Sequence, residues 1–396
     1  MPYHFDRIIP RTNTHSLKWD RMALRFPTDD MLPLWVADMD FAAPPAVVRA
    51  VERRARQGIF GYTVYPWSFY QPVRDWYRRR FGWAISADEL LYAPGVVFAL
   101  RQAIQTFTRP GDGIIIQPPV YKPFYTSVLD NGRRLLENNL RLVDGKYGMD
   151  FAGLERLARR PRTKMLILCS PHNPGGRVWT KRELLGVGRI CARHGVLVVA
   201  DEIHCNLVFT GYRHVPFATV SRACRMNAVV LMAPCKTFNL AGLQLAHIVA
   251  HNPALRRALA TQLHNGGVEG ANIFAGIAAA EAYRHGGPWL RAVMRYIEGN
   301  YVFLRDYLAA HLPAVTVMEP EATYMVWLDF RRLGWSPEKL HRVLCFKAKV
   351  ALNDGRMFSE REGAGFQRLN LACPRVILVR ALRQMVTALQ AELRGE

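Results

Sequence analysis

Short runs of apolar residues, each bounded by turn residues, recur through the middle of the chain. Runs of this length indicate strands that are buried on both faces of a sheet. Longer segments between several of the runs, such as 181–194, space their apolar residues three to four apart and indicate amphipathic helices. The alternation predicts a largely parallel α/β sheet covered by helices. The predicted strands are 113–116, 165–169, 196–200, 228–232 and 245–249.

The pattern changes in the last hundred residues, where strands alternate between two long helical segments. Helices are predicted over about 289–311 and from about Pro374 onward, with strands at 314–317, 324–329 and 366–371. This arrangement is typical of a small α+β domain, and we expect the N-terminal arm to pack beside it. The predicted parts are an arm over 1–45 that joins the small domain, a large domain over 46–287, and the C-terminal part of the small domain over 288–396.

Size and composition predict a soluble protein with a substantial core. The chain has 396 residues, half of them hydrophobic. No stretch reaches the roughly 18–20 apolar residues of a membrane helix, and charges run through the first 30 residues, so we expect a cytoplasmic location. The seven cysteines are scattered without a Cys-x-x-Cys pair, which predicts neither disulfides nor a metal site.

The formal charge of +21 comes from 53 basic and 32 acidic residues. Such an excess is typical of nucleic-acid binding, of an anionic ligand, or of codon usage in a GC-rich genome. The basic clusters at 53–56 and 78–80 lie in segments with helical spacing, where a solvated helix face is the ordinary explanation. No helix-turn-helix, zinc-finger or aromatic RNA-binding motif accompanies them, so nucleic acid is not an expected partner.

Polar residues follow three of the predicted strands directly. Ligands gather at the carboxyl ends of strands in a parallel sheet, and here those ends carry the segments 170–176, 201–204 and 233–239. Asp201 and Lys236 alone would also fit a structural ion pair. Together with the amide of Asn173 they form the set that pyridoxal phosphate (PLP) requires: an amine to bond, a carboxylate for the pyridine nitrogen, and a donor to the ring oxygen.

Over nearly its whole length the chain resembles the fold-type I PLP enzymes of aminotransferase class I/II. These enzymes share an Asn-Pro-x-Gly turn, an Asp-x-x-Tyr/His block and a Ser-x-Ser-Lys block, which correspond to Asn173, Asp201 and Lys236. The resemblance implies a large domain with a mostly parallel seven-stranded sheet between helices, plus a smaller α+β domain. Within the superfamily the chain is similar to the MalY/PatB-type cystathionine β-lyases in the blocks 5–7, 16–20, 35–41, 61–63, 170–179, 201–204 and 236–244.

The resemblance also implies roles at the cofactor. Lys236 would bond PLP and, once released by substrate, take the α-proton. Asp201 would pair with the pyridine N–H, Asn173 and His204 would hydrogen-bond the ring oxygen, and Tyr121 would stack on the ring. The remaining implied positions are the phosphate-binding Gly95, Val96 and Val97, the phosphate-binding Tyr62 of a partner subunit in a homodimer, and the substrate-binding Arg368, Ala37 and Asn173.

Two features qualify the resemblance. The Ser-x-Ser-Lys block is Ala233-Pro234-Cys235-Lys236 here, so two hydroxyls that would bind the phosphate are missing. Gln244 replaces an arginine that binds phosphate in many aminotransferases, which agrees with the lyase branch.

The expected reaction is β-elimination from L-cystathionine or a related L-cysteine S-conjugate, with release of a thiol, pyruvate and ammonia. The motif residues serve transamination equally well, so an aminotransferase stays an alternative. A specialised C–S lyase of a biosynthetic pathway is a second one, and a regulator or binding protein that keeps the fold without turnover is a third. The sequence does not name the leaving group.

Overall fold

The computed structural model describes residues 3–396. Within them the main sheet has seven strands in the spatial order β1-β7-β6-β5-β4-β2-β3. The five strands from β6 to β3 run parallel, and β7 runs antiparallel to both β6 and β1. In chain order the strands are Leu90–Ala93 (β1), Gly113–Ile116 (β2), Arg134–Glu137 (β3), Thr163–Cys169 (β4), Leu197–Asp201 (β5), Ala228–Met232 (β6) and Ala246–Val249 (β7).

The predicted α/β fold with a seven-stranded, mostly parallel sheet is confirmed, and all five strands predicted from apolar runs are present. The pattern missed β1 and β3. Strand β3 lies at the sheet edge and has the sequence Arg-Leu-Leu-Glu with both ends exposed, so it contains no long apolar run. The antiparallel direction of β7 was not predicted either, because an apolar run carries no information on strand direction.

Both faces of the sheet are buried. Successive residues of β4 point to opposite faces, so that Leu166 and Leu168 belong to one hydrophobic core while Met165 and Ile167 belong to the other. Helices cover these two cores. The helices are Leu17–Asp20, Pro45–Arg56, Trp67–Phe81, Val96–Phe107, Pro123–Leu129, Phe151–Ala158, Lys181–Arg193, Arg222–Met226, Pro234–Thr237, Pro253–Asn265, Ala275–His285, Gly287–His311, Pro337–Arg342 and Arg375–Arg394.

The helix predicted over 181–194 has a well-defined start. Thr180 accepts a hydrogen bond from the backbone N–H of Glu183, and the Glu183 carboxylate accepts one from the backbone N–H of Thr180. This capping box satisfies two N–H groups that the helix itself leaves free. The helix connects β4, which Asn173 follows, to β5, which ends at Asp201.

A second, antiparallel sheet lies in the C-terminal part, in the order β8-β9-β11-β10. The N-terminal segment contacts this part: Leu32–Pro33 pairs with Val350–Ala351, and the Asp40 N–H donates to the Ala372 carbonyl. The domain boundaries at 45 and 287 stay predictions. The strands are Thr316–Val317 (β8), Met325–Asp329 (β9), Asn353–Asp354 (β10) and Phe366–Asn370 (β11), and a separate hairpin joins Arg141–Val143 to Lys146–Gly148.

Across residues 3–396, no helix has the length and apolar character needed to span a membrane.

Candidate active site

A cavity of about 350 Å³, here called the inner cavity, opens at the carboxyl ends of β4, β5 and β6. It lies where a parallel sheet collects ligands, because the loops after these strands leave the sheet on the same edge. Nine of the residues singled out in the sequence line it: Ala37, Gly95, Val96, Val97, Tyr121, Asn173, Asp201, His204 and Lys236.

Asp201 is the last residue of β5 and is buried at the floor of the inner cavity. One carboxylate oxygen accepts a hydrogen bond from the Ile203 N–H at 3.1 Å. Among residues 3–396 no cation forms an ion pair with it. Burial raises the pKa of Asp201 to about 7, and this outweighs the Ile203 N–H and the Lys236 ammonium, both of which favour the ionised form. A cationic group in the cavity would stabilise this carboxylate.

Lys236 lies in the short helix Pro234–Thr237 that follows β6. Its Nζ donates to the Ala37 carbonyl at 2.6 Å, and the Tyr324 hydroxyl donates to the same carbonyl at 2.9 Å. The N-terminal segment therefore supplies the acceptor that holds the lysine amine at the cavity. Cys235 also lines the cavity, whereas Ala233 does not. Neither residue type carries a hydroxyl that could bind a phosphate.

His204 is buried in the loop after β5, and its ring packs edge-on against Tyr324. Burial lowers the pKa of His204 to about 3, and the charges of Lys236 and Arg368 act in the same direction. The ring is therefore neutral. Its Nδ1 has no hydrogen-bond partner among the residues that the structure describes. A buried polar atom beside a cavity is costly unless a ligand pairs with it.

The helix Val96–Phe107 begins at the wall of the inner cavity. Gly95 precedes it without a side-chain cap, so the first backbone N–H groups are free to bind an anion. A Cβ placed on Gly95 would meet no protein atom within 4 Å. Packing within the chain therefore does not require glycine here. The absence of a side chain leaves space for a group that binds at the helix start.

A second cavity of about 330 Å³, the outer cavity, lies on the other side of Ala37, Tyr121 and Lys236, which line both. Arg368 is buried in its wall, with its guanidinium over the Phe358 ring. The guanidinium donates to the Asn173 amide oxygen and to the Trp35 carbonyl, both at 3.0 Å. Burial lowers its pKa to about 10, so the group stays charged at neutral pH.

Arg368 also has a free donor. Within residues 3–396 its Nε has no hydrogen-bond partner. A charged arginine at a cavity wall suits a carboxylate, because its planar guanidinium can donate two parallel N–H bonds.

Tyr62 is the one predicted site residue that lies apart from both cavities. Its side chain is fully exposed, at 112% of the reference area, and it lines neither cavity of its own chain. The structure of a single chain therefore leaves its predicted role across a subunit interface as a prediction.

Sequence reasoning missed three residues that position the site. Tyr324 donates to the Ala37 carbonyl, the Trp35 carbonyl accepts from Arg368, and the Phe358 ring lies under the Arg368 guanidinium. Tyr324 precedes strand β9, 88 residues after Lys236 in the sequence. An apolar residue next to an apolar strand carries no signal of function. Its position beside Thr323, which has a positive φ of 73°, is visible only in the structure.

Comparison with known proteins gives the family. The sequence model described as aminotransferase class I and II matches residues 29–384. The chain belongs to this family. Among curated class I and II relatives, cystathionine beta-lyase PatB of Bacillus subtilis is 42% identical over 98% of this chain and 100% of its own length. Protein MalY of Escherichia coli is 33% identical over 98% of this chain and 99% of its own.

Solved structures of the family agree in fold. Cystalysin from Treponema denticola, whose crystal structure contains pyridoxal 5'-phosphate, superposes with a TM-score of 0.96 at 33% identity. The match covers 99% of this chain and 100% of cystalysin. The predicted membership of the PLP enzymes of aminotransferase class I/II and the similarity to the MalY/PatB-type lyases are confirmed.

Proposed function

We propose that the protein is a PLP-dependent C–S β-lyase. With L-cystathionine it would use one water and release L-homocysteine, pyruvate and ammonia. The observation that carries the proposal is the convergence of Lys236, Asp201, Asn173 and His204 on the inner cavity, with Arg368 beyond Tyr121. The 42% identity to a cystathionine beta-lyase over the full length supports this reaction.

The residues of the inner cavity fit PLP because their unsatisfied groups match those of the cofactor. Among residues 3–396 Asp201 has no cation in an ion pair, and a protonated pyridine nitrogen would provide one. His204 lines the cavity with a neutral ring that suits the ring oxygen, and the helix start at Gly95 has N–H groups for the phosphate. The cofactor, when bound, supplies an electrophilic carbon for the substrate amine and an electron sink that acidifies the α-C–H.

The chain's own residues then hold and move the substrate's groups. Arg368 binds the α-carboxylate and so fixes the orientation of the α-carbon. The Lys236 amine, held beside it by the Ala37 carbonyl, takes the α-proton as a neutral base. Asn173 lies between the substrate-binding arginine and the cofactor site: its amide oxygen accepts from Arg368, and its side chain lines the inner cavity.

An aminotransferase would use the same residues, and the reaction products separate the two activities. We expect purified enzyme with PLP to release pyruvate from L-cystathionine in stoichiometric amounts with L-homocysteine, with no keto acid added. Lactate dehydrogenase coupling measures the pyruvate, and thiol titration measures the homocysteine. Pyruvate that appears only when an amino acceptor is supplied would identify a transaminase instead.

We also propose that the chain forms a homodimer with Tyr62 at the partner's phosphate site. The segment around Tyr62 exposes large apolar side chains that an isolated chain would leave in water: Ile59 is 68% exposed, Phe60 62% and Val64 88%. Contiguous apolar exposure of this kind marks an interaction surface. The cytoplasmic location stays a prediction from the sequence.

Subunit complementation tests the dimer. Lys236→Ala and Tyr62→Ala homodimers are each expected to be impaired. Mixing them should restore activity, because a mixed dimer contains one site with both an intact Lys236 and an intact Tyr62 from the other subunit. The measurement is pyruvate release after denaturation and refolding of the two variants together, with each variant refolded alone as the control. Mixed dimers would be isolated by a tag on each variant. If their activity equals only the sum of the two controls, Tyr62 does not contribute to the partner's site.

A further inference from the structure

The outer cavity continues into a third cavity of about 350 Å³, here called the distal cavity. The two share four lining residues, which are Arg25, Lys122, Asn353 and Met357. A substrate whose α-carboxylate lies at Arg368 and whose α-carbon lies at Lys236 has the outer cavity for its first atoms beyond the sulfur. The distal cavity is the continuation of that path.

Two positive charges at the boundary of these cavities are not neutralised by the protein. The Arg25 guanidinium and the Lys122 ammonium belong to exposed residues, and within residues 3–396 neither forms an ion pair or a side-chain hydrogen bond. A third cation of the distal cavity, Arg356, differs from them because it is bonded to Asp354 at 2.9 Å and to Glu338. The cavity thus holds two cations available to a ligand.

The distal cavity also has one available carboxylate and an apolar lining. Glu360 has no ion-pair partner among the described residues, whereas Asp354 is neutralised by Arg356. Phe26, Leu352 and Met357 provide apolar contact between the charged groups. This combination is complementary to a chain of methylene groups that ends in both a carboxylate and an ammonium group.

We propose that Arg25 and Lys122 bind a carboxylate of the leaving group, and that Glu360 binds an ammonium group beside it. The inference rests on the proposed C–S lyase reaction and names the residues that recognise the leaving half of a substrate such as L-cystathionine. Both cations are partly hydrated at the cavity boundary, so they act by charge and hydrogen bonding to the carboxylate oxygens and contribute to specificity.

The test compares three thioethers that differ only in the leaving group. L-Cystathionine carries a carboxylate and an ammonium group, S-(2-carboxyethyl)-L-cysteine carries a carboxylate alone, and S-propyl-L-cysteine carries no charge there. Arg25→Gln and Lys122→Gln are each expected to lower kcat/KM about tenfold for the two carboxylated substrates, as loss of one charge-assisted bond does. The value for S-propyl-L-cysteine should change less than about twofold. Glu360→Gln should lower kcat/KM only for L-cystathionine.

Arg21→Gln is the matched control, because Arg21 is exposed four residues before Arg25 and lines neither cavity. It should leave all three values unchanged. Raising the salt concentration should increase KM of the wild type for the carboxylated substrates and leave that for S-propyl-L-cysteine constant, because salt screens exposed charges.

Equal losses on all three substrates in the Arg25 and Lys122 variants, or no loss on any, would overturn the subsite while leaving the lyase reaction in place. An effect of Glu360→Gln on S-propyl-L-cysteine would overturn the role of Glu360. A wild type that releases pyruvate from none of the three thioethers would instead refute the proposed function, and the inference with it.

Discussion

Lys236→Ala is expected to abolish C–S cleavage, with kcat falling at least about 1000-fold. One substitution removes both the amine that would anchor the cofactor and the base that would take the α-proton. The fold should remain, because within the described range 3–396 Nζ of Lys236 makes a single hydrogen bond, to the Ala37 carbonyl. Pyruvate release measures activity, the visible absorption band of bound cofactor measures anchorage, and circular dichroism measures the fold.

Lys181→Ala provides the control for loss of a lysine. Lys181 is exposed at the start of the helix Lys181–Arg193 and lines neither the inner nor the outer cavity. The variant should retain wild-type activity and absorbance. Activity of Lys236→Ala within about tenfold of the wild type would mean that another lysine performs both tasks.

Asp201→Asn should lower kcat by about 100-fold or more, in the range seen when a single preorganised electrostatic contact to a reacting group is removed. An amide cannot keep the pyridine nitrogen protonated as a carboxylate does, so the electron sink weakens. Substrate binding at Arg368 is separate from this contact, and KM should change much less than kcat. Steady-state kinetics with L-cystathionine measure both. An unchanged kcat would show that Asp201 does not contact the cofactor nitrogen.

The same substitution is expected to stabilise the cofactor-free protein at alkaline pH. Because burial raises the pKa of Asp201 to about 7, the folded chain holds a proton that the unfolded chain has already released above a pH of about 4. Stability contributed by this group is therefore present at low pH and is lost as the pH rises through about 7. The asparagine amide that replaces the carboxyl is neutral throughout this range and avoids the loss.

Thermal unfolding of the cofactor-free proteins at pH 5 and pH 8 tests this expectation. The wild type and Asp201→Asn should have similar Tm values at pH 5, and the variant should have the higher Tm at pH 8. Bound PLP should reverse the order at pH 8, because the ionised carboxylate then has a cationic partner. A variant that is less stable than the cofactor-free wild type at both pH values would indicate a structural role for Asp201.

Most residues of the inner cavity could be predicted from the sequence because their polar side chains directly follow buried strands. The strand ends at Asn173, Asp201 and Lys236 follow apolar runs that are strands in the structure, and parallel direction brings their carboxyl ends to one edge. The three-to-four spacing of apolar residues also predicted the helix 181–194 to within a residue, because that periodicity is a local property of the sequence.

Two strands and one long-range contact could not be predicted from the sequence. The edge strand β3 has no apolar run, and the antiparallel strand β7 looks the same in sequence as a parallel one. Tyr324 reaches the Ala37 carbonyl across 287 positions of the chain, with no motif at either end to mark the contact.

The sequence by itself determined the fold class, the order of the strands that carry the site, and the residue types at their ends, because these depend on local periodicity and on a recognisable motif order. The tertiary structure alone decided which groups lack a partner within residues 3–396: the buried carboxyl of Asp201 forms no ion pair, the buried Nδ1 of His204 has no hydrogen-bond partner, and the exposed Arg25 and Lys122 at the distal cavity form no ion pair. Those properties depend on which atoms lie within hydrogen-bond distance and how far water is excluded, and both are set by contacts between segments far apart in the chain.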